Sequence, residues 1–224
     1  MSGLVVSYGT DVAADVATMI AKIDHRGPAV SGFSRRGQAI MGQNYGTADC
    51  VGLPGNHQVP FTGGNGDDLC ICYDGQIGNW SWLASRYGVA DGPFRDERLL
   101  LELYQAHGGE MVRHLGDSIF AFVISDGEAL FAARDLLGIR TLFFGHSDGA
   151  LYLSSELKGL CAVTEEVHEF PAGHSMDGEG NLRRFAELPS TIDVMDSELG
   201  KIVTDIRSII DRSVRSRVDF SHPT

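Results

Sequence analysis

The hydrophobic positions fall into short, dense runs separated by turn residues. One stretch, Leu115 to Leu160, organises the rest. Phe120–Ser125 is apolar almost throughout, Asp126-Gly127 is a turn dipeptide, and Ala129–Arg134 reads as the returning partner of a hairpin. After a sharper connection through Asp135–Gly138, Thr141–His146 and Ala150–Ser154 form a third and fourth strand around Ser147-Asp148-Gly149. None of the four alternates between apolar and polar. That pattern predicts strands covered on both faces, in a sheet that lies between other layers.

The flanking patterns add strands and helices. Met1–Tyr8 carries Leu4-Val5-Val6 and predicts a strand that begins at the terminus. Thr10–Asp24 has a helical stripe of Val12, Val16, Met19, Ile20 and Ile23, with Thr10 or Asp11 as cap. Leu69–Tyr73 is a strand, and Trp80–Tyr87 a short helix. Arg95 opens a helix with Leu99, Leu100, Leu103 and Tyr104 inward, ended by Gly108-Gly109. Glu110–Leu115 is a further short helix. A last hairpin turns at Asp177-Gly178 and returns through Asn181–Phe185. Thr191–Glu198 reads as a linker, and Gly200–Val218 as a helix striped by Ile202, Val203, Ile206, Ile209, Ile210 and Val214. The expected organisation is a domain over residues 1–190 and a linker with an amphipathic helix over 191–224.

Composition removes several classes. The net charge is −12, which disfavours nucleic acid and anionic membrane as partners. No apolar run is long enough for a bilayer span and no signal segment leads the chain, so a cytoplasmic location is expected. Cys50, Cys70, Cys72 and Cys161 have neither disulfide-framework nor zinc-motif spacing, and Cys70 and Cys72 read as small core residues. Gly63–Asp68 lacks the Lys-Ser/Thr ending of a phosphate loop. No cofactor or metal is expected.

Ordered short matches then identify a resemblance. They are Gly116-Asp117, Phe120-Ala121-Phe122, Ala133-Arg134-Asp135, Leu137-Gly138-Ile139-Arg140 and Ser155-Glu156-Leu157-Lys158. To these add His25-Arg26-Gly27-Pro28 (with Ala29 where an acid is usual), Gln58-Val59-Pro60-Phe61 and Phe170-Pro171-Ala172-Gly173-His174. Over roughly residues 2–218 the chain resembles the class II glutamine amidotransferases, which include the glutaminase domains of asparagine synthetase B and amidophosphoribosyltransferase. The resemblance implies an α+β fold of the N-terminal-nucleophile hydrolase type. Its four layers run α/β/β/α, with mainly antiparallel sheets.

The resemblance also implies a site. Family members begin Met-Cys-Gly; the Met is removed and the new N-terminal Cys attacks the glutamine amide, with its own α-amino group as base. Here Ser2 stands in that place, either as a nucleophile or as a position that has lost its chemistry. The family's Asn-Gly-Glu segment supplies an oxyanion donor; here it reads Asp74-Gly75-Gln76, and an ionised Asp accepts hydrogen bonds without donating them. The arginine that grips the substrate carboxylate falls on Asn44, or on Tyr45 if the register slips by one, and neither is cationic. Asp96 matches the acid that binds the α-amino group; otherwise it is an ordinary first-turn acid. Ser2 is expected in one cleft with Gly75 and Asp96.

Two functions follow as expectations. One is a degenerate amidotransferase domain that binds a separate synthetase subunit or a second copy of itself. The other is an active glutaminase that releases ammonia from glutamine for a synthetase. A weaker third is an N-terminal Ser hydrolase acting on another amide.

Overall fold

The computed structural model describes residues 2–9, 13–46, 59–64, 69–190 and 198–215. The expected caps Thr10 and Asp11, with Val12, Thr47, Ala48, Cys50, Gln58, the tip of the Gly63–Asp68 turn, most of the 191–198 linker and positions 216–218 of the last helix, lie outside them. The chain divides into two compact units, Met1–Ala186 and Glu187–Thr224.

The first unit contains β1 (Gly3–Tyr8), β2 (Val30–Arg36), β3 (Ala39–Tyr45), β4 (Phe61–Gly63), β5 (Leu69–Gln76), β6 (Ile119–Ser125) and β7 (Leu130–Arg134). It continues with β8 (Phe143–Ser147), β9 (Ala150–Ser154), β10 (His168–Glu169), β11 (His174–Asp177) and β12 (Leu182–Arg184). Its helices are α1 (Ala13–Lys22), α2 (Trp80–Tyr87), α3 (Arg95–His107) and the single turn α4 (Leu157–Leu160). One sheet has the order β10-β8-β9-β1-β3-β2 and the other β12-β11-β7-β6-β5-β4. Each named strand pair is antiparallel.

Three apolar layers show how these elements stack. Val5, Ile40, Tyr152, Val16, Met19 and Ile23 pack the first sheet against α1. Leu4, Val6, Met41, Cys70, Cys72, Val123, Leu153 and Phe170 fill the space between the sheets. Ile71, Tyr73, Phe122, Leu99, Leu100 and Leu103 pack the second sheet against α2 and α3. Alternate residues of one strand therefore enter different cores, as the two-residue period of a strand requires. This is the expected α/β/β/α sandwich. β3, β7 and β9 are buried at every position, which is why their sequences do not alternate.

The organising stretch gives one hairpin to each sheet. β6 and β7 pair in the second, and β8 and β9 in the first. The crossing between them turns on Asp135, which is 1% exposed. Its Oδ1 accepts from the amides of Leu137 (3.0 Å) and Ile139 (3.1 Å), and its Oδ2 from Phe120 (3.2 Å) and Arg140 (3.1 Å). Arg134, buried beside it, donates to the carbonyls of Arg140 (2.7 Å), Gly138 (2.9 Å) and Phe170. Gly138 has φ +63° and its α-carbon faces the Arg134 guanidinium closely, so a side chain there would be strained and crowded. The third strand starts at Phe143 rather than Thr141, and Thr141 Oγ1 donates to the Ser155 carbonyl at 2.7 Å just before it.

Two elements differ from expectation. Gly108 ends α3 as expected, but the short helix expected over Glu110–Leu115 is a 3-10 helix that begins at once, from Gly108 to His114. β2 and β3 form an extended hairpin whose first strand, Val-Ser-Gly-Phe-Ser-Arg-Arg, is at a sheet edge and only partly buried.

The second unit contains α5 (Leu199–Arg215). Its stripe residues Val203, Ile206, Ile209, Ile210 and Val214 are all about half exposed (48–57%). Among the described residues no helix is long and apolar enough to cross a membrane.

Candidate active site

The beginning of β1 and the end of β5 meet between the two sheets. On β1, Leu4 and Val6 face the inter-sheet core, and Ser2 shares their side of the strand. On β5, Cys70 and Cys72 face the same core, and Asp74 follows them. The Ser2 backbone N–H donates to Asp74 Oδ1 at 3.3 Å. Both residues are buried, at 6% and 2% exposure.

Three further segments close around them. The 3-10 turn Asp24–Arg26 directs Arg26 inward, where Nε donates to the Ser2 carbonyl (2.9 Å) and Nη2 to Asp74 Oδ2 (2.7 Å). The Asp135 turn presents Arg140, whose Nη1 lies 3.5 Å from Asp74 Oδ1. Glu156, just before α4, takes Arg26 Nη1 at 3.3 Å and faces His25 Nε2 at 2.9 Å. Burial alone would raise the Glu156 carboxyl, but the hydrogen bonds from Arg26 and His25 outweigh it and hold the pKa below its ordinary value.

Gly75 follows Asp74 where only glycine fits. A Cβ there would lie 2.4 Å from the Ile119 carbonyl oxygen and 2.8 Å from the Tyr73 ring. Asp96, on the first turn of α3, approaches from the outer side of β5. Its Oδ2 accepts from Tyr73 Oη (2.9 Å) and from the Ile77 amide (3.3 Å). Its Oδ1 is buried, lies 3.5 Å from Arg95 Nε, and accepts no hydrogen bond. Desolvation raises the Asp96 pKa, against the smaller opposing effects of Tyr73, Arg95 and Ile77.

The two candidates for the carboxylate clamp face opposite ways. Asn44 points into the α1 layer, where Nδ2 donates to the Ile23 carbonyl at 3.0 Å. Tyr45 lies on the other face, and its hydroxyl donates to Glu97 Oε1 at 2.9 Å. Its ring meets the edge of Phe94, which stacks on Phe61. Just before them, on the same face as Tyr45, Gln43 reaches across the sandwich. Its Oε1 accepts from the Tyr73 amide at 3.0 Å and its Nε2 donates to the Tyr73 carbonyl. Ser2, Asp74 and Gly75 thus gather at one place, Asp96 reaches the Tyr73 hydroxyl on the outer side of β5, and Asn44, the ladder partner of Gly3, turns its side chain toward Ile23.

The sequence reading assigned no role at the site to Arg26, Arg140, Glu156, Gln43 or Glu97. The first three lie inside segments that carry the family resemblance: His25-Arg26-Gly27-Pro28, Leu137-Gly138-Ile139-Arg140 and Ser155-Glu156. Gln43 and Glu97 are each one position from a residue that was named. Chemically, the arrangement offers a buried serine, a glycine amide and a carboxylate held by two guanidiniums. Among the described residues no group of three or more His, Cys, Asp or Glu could hold a metal.

Asp96 gives a direct test of its environment. A raised folded-state pKa means that its contribution to stability is fully present below its unfolded value, roughly 3.9, and is lost as pH rises through the folded value. Asp96→Asn is therefore expected to be at least as stable as the parent at pH 7 and to lose less stability between about pH 4 and 7. Urea unfolding at both pH values measures this. A variant weakened at pH 7 but unchanged at pH 4 would contradict it.

Comparison with known proteins places these features in a wider set. Residues 1–178 match the family described as glutamine amidotransferase domain. The chain is 31% identical over 191 residues to an asparagine synthetase (glutamine-hydrolyzing) of Sandersonia aurantiaca, covering 81% of this chain and 35% of that protein. It is 34% identical over 202 residues to asparagine synthetase B (glutamine-hydrolyzing) of Escherichia coli, covering 87% and 35%. The chain thus spans about a third of the length of these relatives. The glutamine phosphoribosylpyrophosphate amidotransferase of B. subtilis shares the fold, with a TM-score of 0.70 at 16% identity over 82% of this chain and 49% of that one.

Proposed function

Since the chain belongs to the class II glutamine amidotransferases, with a domain like that of asparagine synthetase, we propose that it is a member with a degenerate glutaminase site that serves as a binding or regulatory component of a synthetase or amidotransferase complex. One observation carries the proposal. Asp74 stands at the family's oxyanion-donor position, and its carboxylate is paired with Arg26 at 2.7 Å beside Ser2. Loss of one such donor costs on the order of 10²- to 10³-fold in turnover. Ser2 is also a weaker nucleophile than cysteine at neutral pH. Steady-state ammonia release from glutamine by the full chain is expected to fall below detection. Turnover on the order of 1 s⁻¹ or faster would overturn the proposal.

A second reading, an active glutaminase with Ser2 as nucleophile, draws its support from Asp96. That residue keeps a buried oxygen with no hydrogen bond at the position of the family's amine-binding acid. The same assay decides between the two.

The binding role would use α5. Its exposed isoleucine and valine stripe is the kind of face that a second chain buries, either a synthetase subunit or another copy. With no synthetase present, the full chain is expected to self-associate in light scattering, and a truncation before Thr191 to be monomeric. A monomer in both cases would remove this part of the proposal.

A further inference from the structure

The amino-terminal end is held on every side. The Ser2 carbonyl accepts from Arg26, Gly3 pairs with Asn44 across the β1–β3 ladder, and the Leu4 amide donates to Ser155 Oγ at 3.0 Å. Removal of Met1, which the small Ser2 side chain permits, would therefore leave the Ser2 nitrogen where it is, 3.3 Å from Asp74 Oδ1. The new group would then be an amine rather than an amide.

We infer that Asp74 locks this terminus: in the processed chain the Ser2 α-amino group is an ammonium paired with Asp74, a cross-link between the two sheets that cannot act as a proton acceptor. The inference deepens the degenerate-site reading and rests on it.

The charges around the nitrogen support this assignment. The Asp74 carboxylate lies 3.3 Å from that nitrogen and accepts its hydrogen bond. Arg26 and Arg140 oppose an ammonium, but both direct guanidinium nitrogens at Asp74, and Glu156 takes the remaining arm of Arg26. His25 and Lys158 lie beyond Glu156 and interact with it and with each other. With Asp74 in place, an ammonium completes a set of alternating charges. With a neutral side chain there, the two arginines become the dominant neighbours and the free amine is favoured. A single residue thus decides whether the terminus is a cation or a base.

The test is an NMR titration of the full chain labelled with ¹³C-serine, with the Ser2 signal assigned by its loss in Ser2→Thr. Intact mass spectrometry comes first and is expected to show Met1 removed. In the parent the amine should titrate at or above the ordinary α-amino range, roughly 7.7–8. In Asp74→Asn its acidity should rise at least tenfold. Retained Met1, a parent value below that range, or equal values in parent and variant would each overturn the inference. The parent titration is decisive even if the variant does not fold. Ammonia release from glutamine, measured on the same sample, reports separately on the degenerate-site reading. An active enzyme whose amine is still paired would sink that reading, and with it the claim that the paired terminus cannot act as a base; an inactive enzyme whose amine titrates below the ordinary range would overturn the pairing alone.

Discussion

Replacing Asp135 by alanine is expected to destabilise the chain by about 3 kcal/mol or more, enough to unfold a large fraction of a marginally stable domain. The carboxylate is almost fully buried and accepts four backbone amide hydrogen bonds, from Phe120, Leu137, Ile139 and Arg140. Alanine offers none of these. Each buried donor left without a partner costs roughly 1–3 kcal/mol. Arg134, buried beside the turn, donates to the carbonyls of Gly138, Arg140 and Phe170, so the acceptors of this segment are already committed and cannot take up the freed amides. Asp135→Asn should fall between parent and alanine. It keeps one accepting oxygen but turns an NH₂ group toward two amide donors. Urea denaturation of the three proteins measures the order. A loss under about 1 kcal/mol for alanine would mean that the turn finds other partners. The site should suffer with the fold, since this turn carries Arg140 to Asp74.

The largest functional effect is expected from restoring three positions together. Ser2→Cys alone should gain little glutamine hydrolysis, because the thiolate would still face the Asp74 carboxylate. Asp74→Asn supplies the missing donor, which by itself is worth on the order of 10²- to 10³-fold in a competent site. The third change depends on strand geometry. Read from sequence, the carboxylate clamp belongs to Asn44 or Tyr45. An arginine at 44 would enter the packed α1 layer beside Ile23, whereas one at 45 would lie on the Glu97 side of the sheet. The expected result is that Ser2→Cys/Asp74→Asn/Tyr45→Arg releases ammonia far faster than any single variant, and that the same triple with Asn44→Arg is destabilised and inactive. Nucleophile, donor and clamp act as a unit, so the gains should not be independent. If Ser2→Cys alone matched the Tyr45 triple, neither Asp74 nor the missing clamp would be what limits the site.

The Asn44–Tyr45 ambiguity shows where sequence reasoning stops. Successive residues of a strand face opposite sides, so a one-residue uncertainty exchanges a side chain on the Glu97 side of the sheet for one in the α1 layer. Dense apolar runs made β1, β5, β6, β7 and β9 legible, because burial on both faces leaves little room for polar residues. β2 was not singled out, since an edge strand that is half exposed can carry Ser, Gly and Arg. The runs alone did not reveal that the two hairpins of the organising stretch enter different sheets. That division depends on the crossing at Asp135, whose signal is a few residues of turn chemistry. At the site, Ser2, Asp74, Gly75 and Asp96 could be named by alignment with a motif. Arg26, Arg140 and Glu156 could not be given roles, because their partners are distant in sequence and meet only when the sheets stack.

The Gln43 bridge has a consequence for the chain's behaviour in concentrated solution. β4 accompanies β5 only from Leu69 to Ile71, and among the described residues no strand pairs with β5 beyond that point on that side. An uncovered strand edge is a template on which foreign strands can add. The Gln43 side-chain amide occupies both backbone groups of Tyr73 there, the N–H and the C=O. A single glutamine thus imitates one residue of a missing strand and denies an incoming chain its first pair of hydrogen bonds.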